Sequence, residues 1–162
     1  MAFPVSDLSV LSVASECWPL VKTGGLADVV GALPAAVAPH GVAMTRFLPG
    51  YPAVLRALPR KRTLFRYDSL LGAPARIIAA RHGERPILVL DAPAYFDRDG
   101  GPYADPMGRD WFDNGLRFAA FAKAAADVAA GRAGAKRFDV LHAHDWQSGL
   151  APAYLTYTVD EA

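Results

Sequence analysis

The chain has 162 residues, enough for one domain with a proper core and too few for two of ordinary size. Its 52% apolar and 20% charged residues exclude disorder, and the longest apolar runs fall well short of the ~20 residues of a membrane span. The net charge is +1, and the only dense basic patch, "RKR" at Arg60 to Arg62, is short and lacks interleaved aromatics, so it reads as a solvated loop and nucleic acid is not an expected partner.

Met1 is followed by neither a basic segment nor a long apolar stretch ending in a cleavage site, so no secretory or transit signal is read. The single Cys17 excludes an internal disulfide and fits a reducing compartment. The expected location is the cytoplasm, with no membrane partner.

"DLSVLSVASE", Asp7 to Glu16, is a compact β-rich run and the first strand candidate. "LADVVGALPAAVAPHG" then shows helical spacing through Leu26, Val29, Val30, Leu33 and Val37, with Gly41 as the stop. Pro34 removes a backbone donor and clashes one turn back, so the helix is expected to kink there or restart. "VAMTRFLP" reads as a second strand, completing a βαβ unit with a parallel, right-handed crossover.

"TLFRY", "ARIIAARHG" and "RPILVLDAP" are short strand candidates, with His82 to Arg85 suited to a hairpin loop. Tyr95 to Trp111 is a long loop dense in Gly, Pro and Asp, and its aromatics favour function over disorder. "NGLRFAAFAKAAADVAAG" is a helix behind an Asp110 or Asp113 N-cap, closed by Gly131. "FDVLHAH" is a strand, and another helix starts behind Asp145. The order predicts an α/β, Rossmann-like doubly wound sheet, mostly parallel, with a β-rich insert.

In such sheets ligands sit at the carboxyl ends of the strands, and two motifs fall there: "KTGGLAD" after the first strand and "HAHDWQSG" at the last. Gly24 and Gly25 let backbone N–H groups approach a phosphate, the helix start adds partial positive charge, and Lys22 supplies a full one. The spacing is neither a dinucleotide fingerprint nor a Walker A loop, so an ordinary Gly-Gly turn competes with a phosphate seat. The second motif is open between three readings. His142 and His144, two apart on a strand, could hold a metal with Asp145, as in hydrolases. Trp146 could stack on a sugar ring while Asp145 accepts hydrogen bonds from hydroxyls. Alternatively the histidines are satisfied locally and Asp145 is only an N-cap.

"VLSVASECWPLVKTGGLADVVGALP", "LPGYPAV", "DAPAYFDRDGGPYAD" and "DVLHAHDWQSGLAPAYL" resemble the corresponding segments of bacterial glycogen synthases and plant starch synthases, in the same order and at similar spacing. The resemblance covers nearly the whole chain. It implies a retaining glucosyltransferase that moves glucose from ADP-glucose to the non-reducing end of an α-1,4-glucan, with two Rossmann-like domains facing a cleft, the GT-B arrangement. This chain resembles most of the N-terminal domain and has no counterpart of the nucleotide-binding C-terminal one. A single truncated domain over residues 1–162, inactive alone, is therefore expected. By motif match Lys22 and its neighbours Thr23, Gly24 and Gly25 meet the donor phosphates, and Asp28 lies in the same pocket. Tyr103, Asp145 and Trp146 line the sugar end, His144 and Gln147 are further substrate-binding positions, and Lys22 and Asp145 carry the catalytic assignment.

The resemblance also implies no cofactor and no metal: fixed cations and backbone donors stabilise the departing diphosphate, which itself deprotonates the acceptor hydroxyl. Gln147 stands where many members have a histidine, and it cannot carry charge. A truncated sheet should leave an unpaired apolar edge, from which self-association is expected. Two rival functions remain: a metal hydrolase using His142, His144 and Asp145, and a non-catalytic glucan-binding module with Tyr95, Tyr103, Trp111 and Trp146 as sugar platforms.

Overall fold

The computed structural model describes residues 8–158. Within them a six-stranded sheet has the order β3-β4-β5-β2-β1-β6. The strands are β1 (Leu8–Val13), β2 (Val42–Pro49), β3 (Arg62–Leu70), β4 (Ala73–His82), β5 (Arg85–Asp91) and β6 (Val140–Ala143). β1 pairs parallel with β2 and β6, and β2 pairs parallel with β5. β3, β4 and β5 form antiparallel pairs. The β-rich insert thus extends the main sheet, with β5 as the strand that joins both halves.

The helices are α1 (Leu26–Val37), α2 (Pro52–Ala57), α3 (Pro93–Phe96), α4 (Asn114–Ala129), α5 (Asp145–Ser148) and α6 (Ala151–Tyr157). α1 runs through Pro34 without restarting, and Arg85 Nη1 donates to the Pro34 carbonyl at 3.1 Å. α4 buries Ala120, Ala122 and Ala124 to Ala126 together with Phe118 and Phe121. The small residues let the helix lie close, and Phe121 stacks on Phe47 of β2 with ring centroids 5.1 Å apart. Burying such a ring contributes about 2–3 kcal/mol, so the Phe47–Phe121 stack is a principal fastening of helix to sheet.

Three expectations need adjustment. The first strand ends at Val13 rather than Glu16, so Ser15, Glu16 and Cys17 belong to the loop beyond it; Asp7, its expected start, lies outside the described residues. The long loop begins inside α3, where Tyr95 and Phe96 are buried. Asp113 does occupy the position before α4, but its carboxylate takes two hydrogen bonds from Arg98, at 2.7 and 2.5 Å, instead of capping the helix.

The chain leaves β1 towards β2 on one side, while β6 lies on the other. The crevice at the carboxyl ends of β1 and β6 is therefore a topological switch point, where doubly wound sheets place ligands.

Candidate functional site

The loop after β1 is organised by a residue that the sequence reading passed over as part of a strand. Glu16 is only 2% exposed, and its carboxylate accepts from Thr23 N–H, Thr23 Oγ1 (2.6 Å), Gly24 N–H (3.3 Å) and the Tyr103 hydroxyl (2.5 Å). With its O–H directed at Glu16, Tyr103 Oη accepts from Ser15 Oγ at 2.7 Å. Burial pushes the Glu16 carboxyl up, but the hydrogen bonds from Thr23 and Tyr103 outweigh it and hold the group below its ordinary range. Burial first, and then the bond to Glu16, push the Tyr103 phenol up. An acidic residue in the apolar run "SVASECWPL" was the available signal for this hub.

These bonds change the expected phosphate seat. The N–H groups of Thr23 and Gly24 are already directed at Glu16. Lys22 Nζ sits on both oxygens of Asp28 at 2.7 and 2.6 Å, at the exposed flank, with the Trp18 ring centroid 5.7 Å away. Gly24 and Gly25 are the informative pair. Neither has a positive φ, and a Cβ built on either meets nothing within 4 Å, so the fold itself does not require glycine there. Their missing side chains keep the outer surface of the loop open to close approach.

At the other strand end, His144 Nε2 lies 3.0 Å from Ser12 Oγ, and the backbone N–H of His144 donates to the Val13 carbonyl. The His142 and His144 rings stack with centroids 4.1 Å apart, so the two do point the same way. Burial, then the neighbouring His142, pulls the His144 pKa down to about 4, against the opposing pull of Asp145. Among the described residues no group of three or more His, Cys, Asp or Glu side chains could hold a metal ion, so the hydrolase reading lacks its ligand set.

Asp145 adopts φ 58°, the left-handed region, and is the first residue of α5, so the N-cap position falls on His144 instead. The N-cap explanation of this residue is therefore set aside, and its carboxylate is left exposed at the strand end. Trp146 is 60% exposed and meets Phe118 edge-on at 5.2 Å. Tyr103 packs on the same Phe118 at 6.0 Å. Gln147, by contrast, is buried, with its Oε1 unpartnered among the described residues.

The structure thus joins Thr23 and Gly24 to Tyr103 through Glu16, and Tyr103 to Trp146 through Phe118. Lys22 and Asp28 pair with each other beside this chain of contacts. The loop bearing Tyr103 is tightly held: Trp111 N–H and Asn114 Nδ2 both donate to the Tyr103 carbonyl, at 3.0 and 2.9 Å. Of the other proposed platforms, Tyr95 is buried with its hydroxyl on the Leu70 and Leu71 carbonyls, so it offers no sugar surface. Trp111 donates its indole N–H to Gly101 O at 3.3 Å and lies under the Arg98 guanidinium at 5.0 Å.

Comparison with known proteins covers nearly the whole chain. The family model for the starch synthase catalytic domain matches residues 9–162. A glycogen synthase of Novosphingobium aromaticivorans is 63% identical over 150 residues, covering 93% of this chain and 31% of that protein. One from Rhodopseudomonas palustris (strain BisB18) is 53% identical over 154 residues, covering 95% and 32%. The catalytic domain of starch synthase IV from Arabidopsis thaliana, solved bound to ADP and acarbose, superposes with a TM-score of 0.71 at 26% identity, covering 93% of this chain and 32% of that one. The chain spans about a third of the length of the curated relatives it matches.

Proposed function

The chain belongs to the starch synthase catalytic domain family, and we propose that it is the N-terminal portion of a glucan synthase. The reaction is transfer of glucose, with retention, from ADP-glucose to the non-reducing end of an α-1,4-glucan. One observation carries the reading: the Glu16 carboxylate ties the Lys22–Gly25 loop to Tyr103, whose ring shares Phe118 with Trp146, so a phosphate-side loop and a sugar-side surface form one connected unit.

Within that unit the residue types fit their roles. Lys22, exchanging Asp28 for a diphosphate oxygen, meets the negative charge that develops as the nucleotide departs, and the open surface over Gly24 and Gly25 admits the phosphates. Tyr103 and Trp146 offer ring faces to sugars, and Asp145 accepts hydrogen bonds from sugar hydroxyls near the reacting carbon. The acceptor hydroxyl gives its proton to the leaving phosphate. Most of the donor's partners lie in the two thirds of the relatives' length that this chain does not match. A cytoplasmic setting fits the free, buried Cys17, and among the described residues no helix is long and apolar enough to cross a membrane.

The isolated chain is expected to transfer no glucose from ADP-glucose, yet to bind maltooligosaccharides weakly through Trp146, read as a change in tryptophan fluorescence that Trp146→Ala removes. Grafted in place of the matching 150 residues of the Novosphingobium relative, it should support synthesis, and Lys22→Gln or Asp145→Asn in the graft should lower kcat by about 100-fold. A graft that folds and stays inactive overturns the reading. β6 forms one edge of the sheet, and Leu150, Leu155 and Tyr157 nearby are exposed. Self-association of the isolated chain through this end follows, and light scattering at high concentration tests it.

A further inference from the structure

A second buried charge lies on β2, outside the unit just described. Arg46 is 3% exposed, and its guanidinium has one hydrogen bond, from Nη1 to the Cys17 sulfur at 3.5 Å, a weak acceptor. Nε and Nη2 are buried and have no acceptor among the described residues. These two nitrogens form the side-on face of the guanidinium, whose parallel N–H groups match two oxygens of one oxyanion. The group stays charged at any physiological pH, and an uncompensated buried charge is costly, so it calls for an anion.

Arg46 lines a cavity of about 620 Å³ between Trp18 and Pro19, Gly31 of α1, and the β4–β5 turn at residues 82–85. The charge of its walls is positive on balance. Arg85 and Arg46 face it against a single acidic side chain, Glu84, which is itself exposed. Arg81 also sits beside this turn, donating to the Glu84 backbone carbonyl. A neutral sugar would leave Arg46 uncompensated, and one carboxylate carries less charge than a phosphate dianion.

We propose that this cavity is a binding site for a small phosphate-bearing anion, held by the under-partnered charge of Arg46. The inference does not rest on the glucosyl-transfer reading. It does touch that site, because Trp18 is a wall of the cavity and its ring also lies beside Lys22 Nζ. An anion seated on Arg46 would press on the same indole that flanks the proposed phosphate-side lysine.

The test uses the chain as it stands, at constant ionic strength, with inorganic phosphate compared against malonate and chloride. Phosphate in the tens of millimolar should raise Tm by about 3–5 °C and shift the Trp18 indole and His82 ring signals in NMR spectra. Arg46→Met should abolish both responses while being at least as stable as the parent in chloride. Glu84→Gln should tighten phosphate binding several-fold by removing the opposing charge. No phosphate response in the parent chain, or a malonate response as large as that of phosphate, overturns the proposal. So does equal destabilisation by Arg46→Met and Glu84→Gln in chloride, which would identify Glu84 as the natural partner of Arg46. Should Arg46→Met fail to fold, the titration of the parent chain and of Glu84→Gln still decides.

Discussion

Glu16 and Arg46 are two buried charges on either side of Cys17, and they are treated in opposite ways. The carboxylate collects four hydrogen bonds from its own chain, whereas the guanidinium finds one sulfur. A buried charge whose partners are covalently supplied fixes geometry, here the angle between the Lys22 loop and the Tyr103 loop. A buried charge without such partners leaves its strongest interaction to something the chain does not carry.

The largest effect that would sharpen this contrast is expected at Glu16. Glu16→Ala strands the Thr23 and Gly24 N–H groups and the Tyr103 hydroxyl at once, and should lower stability by about 3–4 kcal/mol in urea unfolding. A loss below about 1 kcal/mol would mean the hub is ornamental. Next comes the pH dependence of His144. Its folded pKa, about 4, lies below the ordinary 6.5, so the unfolded chain binds the proton more readily. The stability is then complete above pH 6.5 and is lost as pH falls from there towards 4. After allowance for solvent screening of this half-buried ring the loss is about 1–2 kcal/mol. His144→Gln should flatten that part of the curve.

Glu16 adds an acid-side effect of the same sign. Its carboxyl is held below the ordinary 4.5, so its contribution is present above that pH and disappears as pH falls through the lower folded value. Glu16→Gln should remove this second decline. Tyr103→Phe, which loses only the Glu16 and Ser15 bonds, should cost about 1 kcal/mol by the same unfolding measurement. Smallest of all is Lys22→Ala: its pair with Asp28 is exposed, so stability should change by less than about 0.5 kcal/mol. If Lys22→Ala proved as damaging to the fold as Glu16→Ala, the division between framework residues and those proposed to face the ligand would fail.

The sequence made the sheet legible because its strands are apolar runs of ordinary length bounded by Gly and Pro, and because one helix between "LSVLSV" and "VAMTRFLP" leaves little choice but a parallel crossover. The two motif positions were legible for the same topological reason. Glu16 and Arg46 were not, since each is one charged residue inside an apolar run, and periodicity assigns it to the strand without saying what it meets. The partner of Glu16 lies 87 residues away at Tyr103. Local sterics at Pro34 predict a kink or a restart; α1 runs on without restarting, and the Arg85 bond goes to the carbonyl of Pro34 itself, not to the one its missing N–H leaves unpaired. Residue type alone makes Tyr95 a candidate sugar platform, while burial turns its hydroxyl to a structural use.

The left-handed backbone of Asp145 has a consequence for how this corner can vary. Glycine would relax that conformation, by about 1 kcal/mol, and would erase the carboxylate in the same stroke. A sturdier protein without an acidic group at this strand end is thus one codon change away. On the glucosyl-transfer reading proposed above, keeping aspartate here sets robustness against reactivity, and a screen for heat tolerance alone would select the wrong winner.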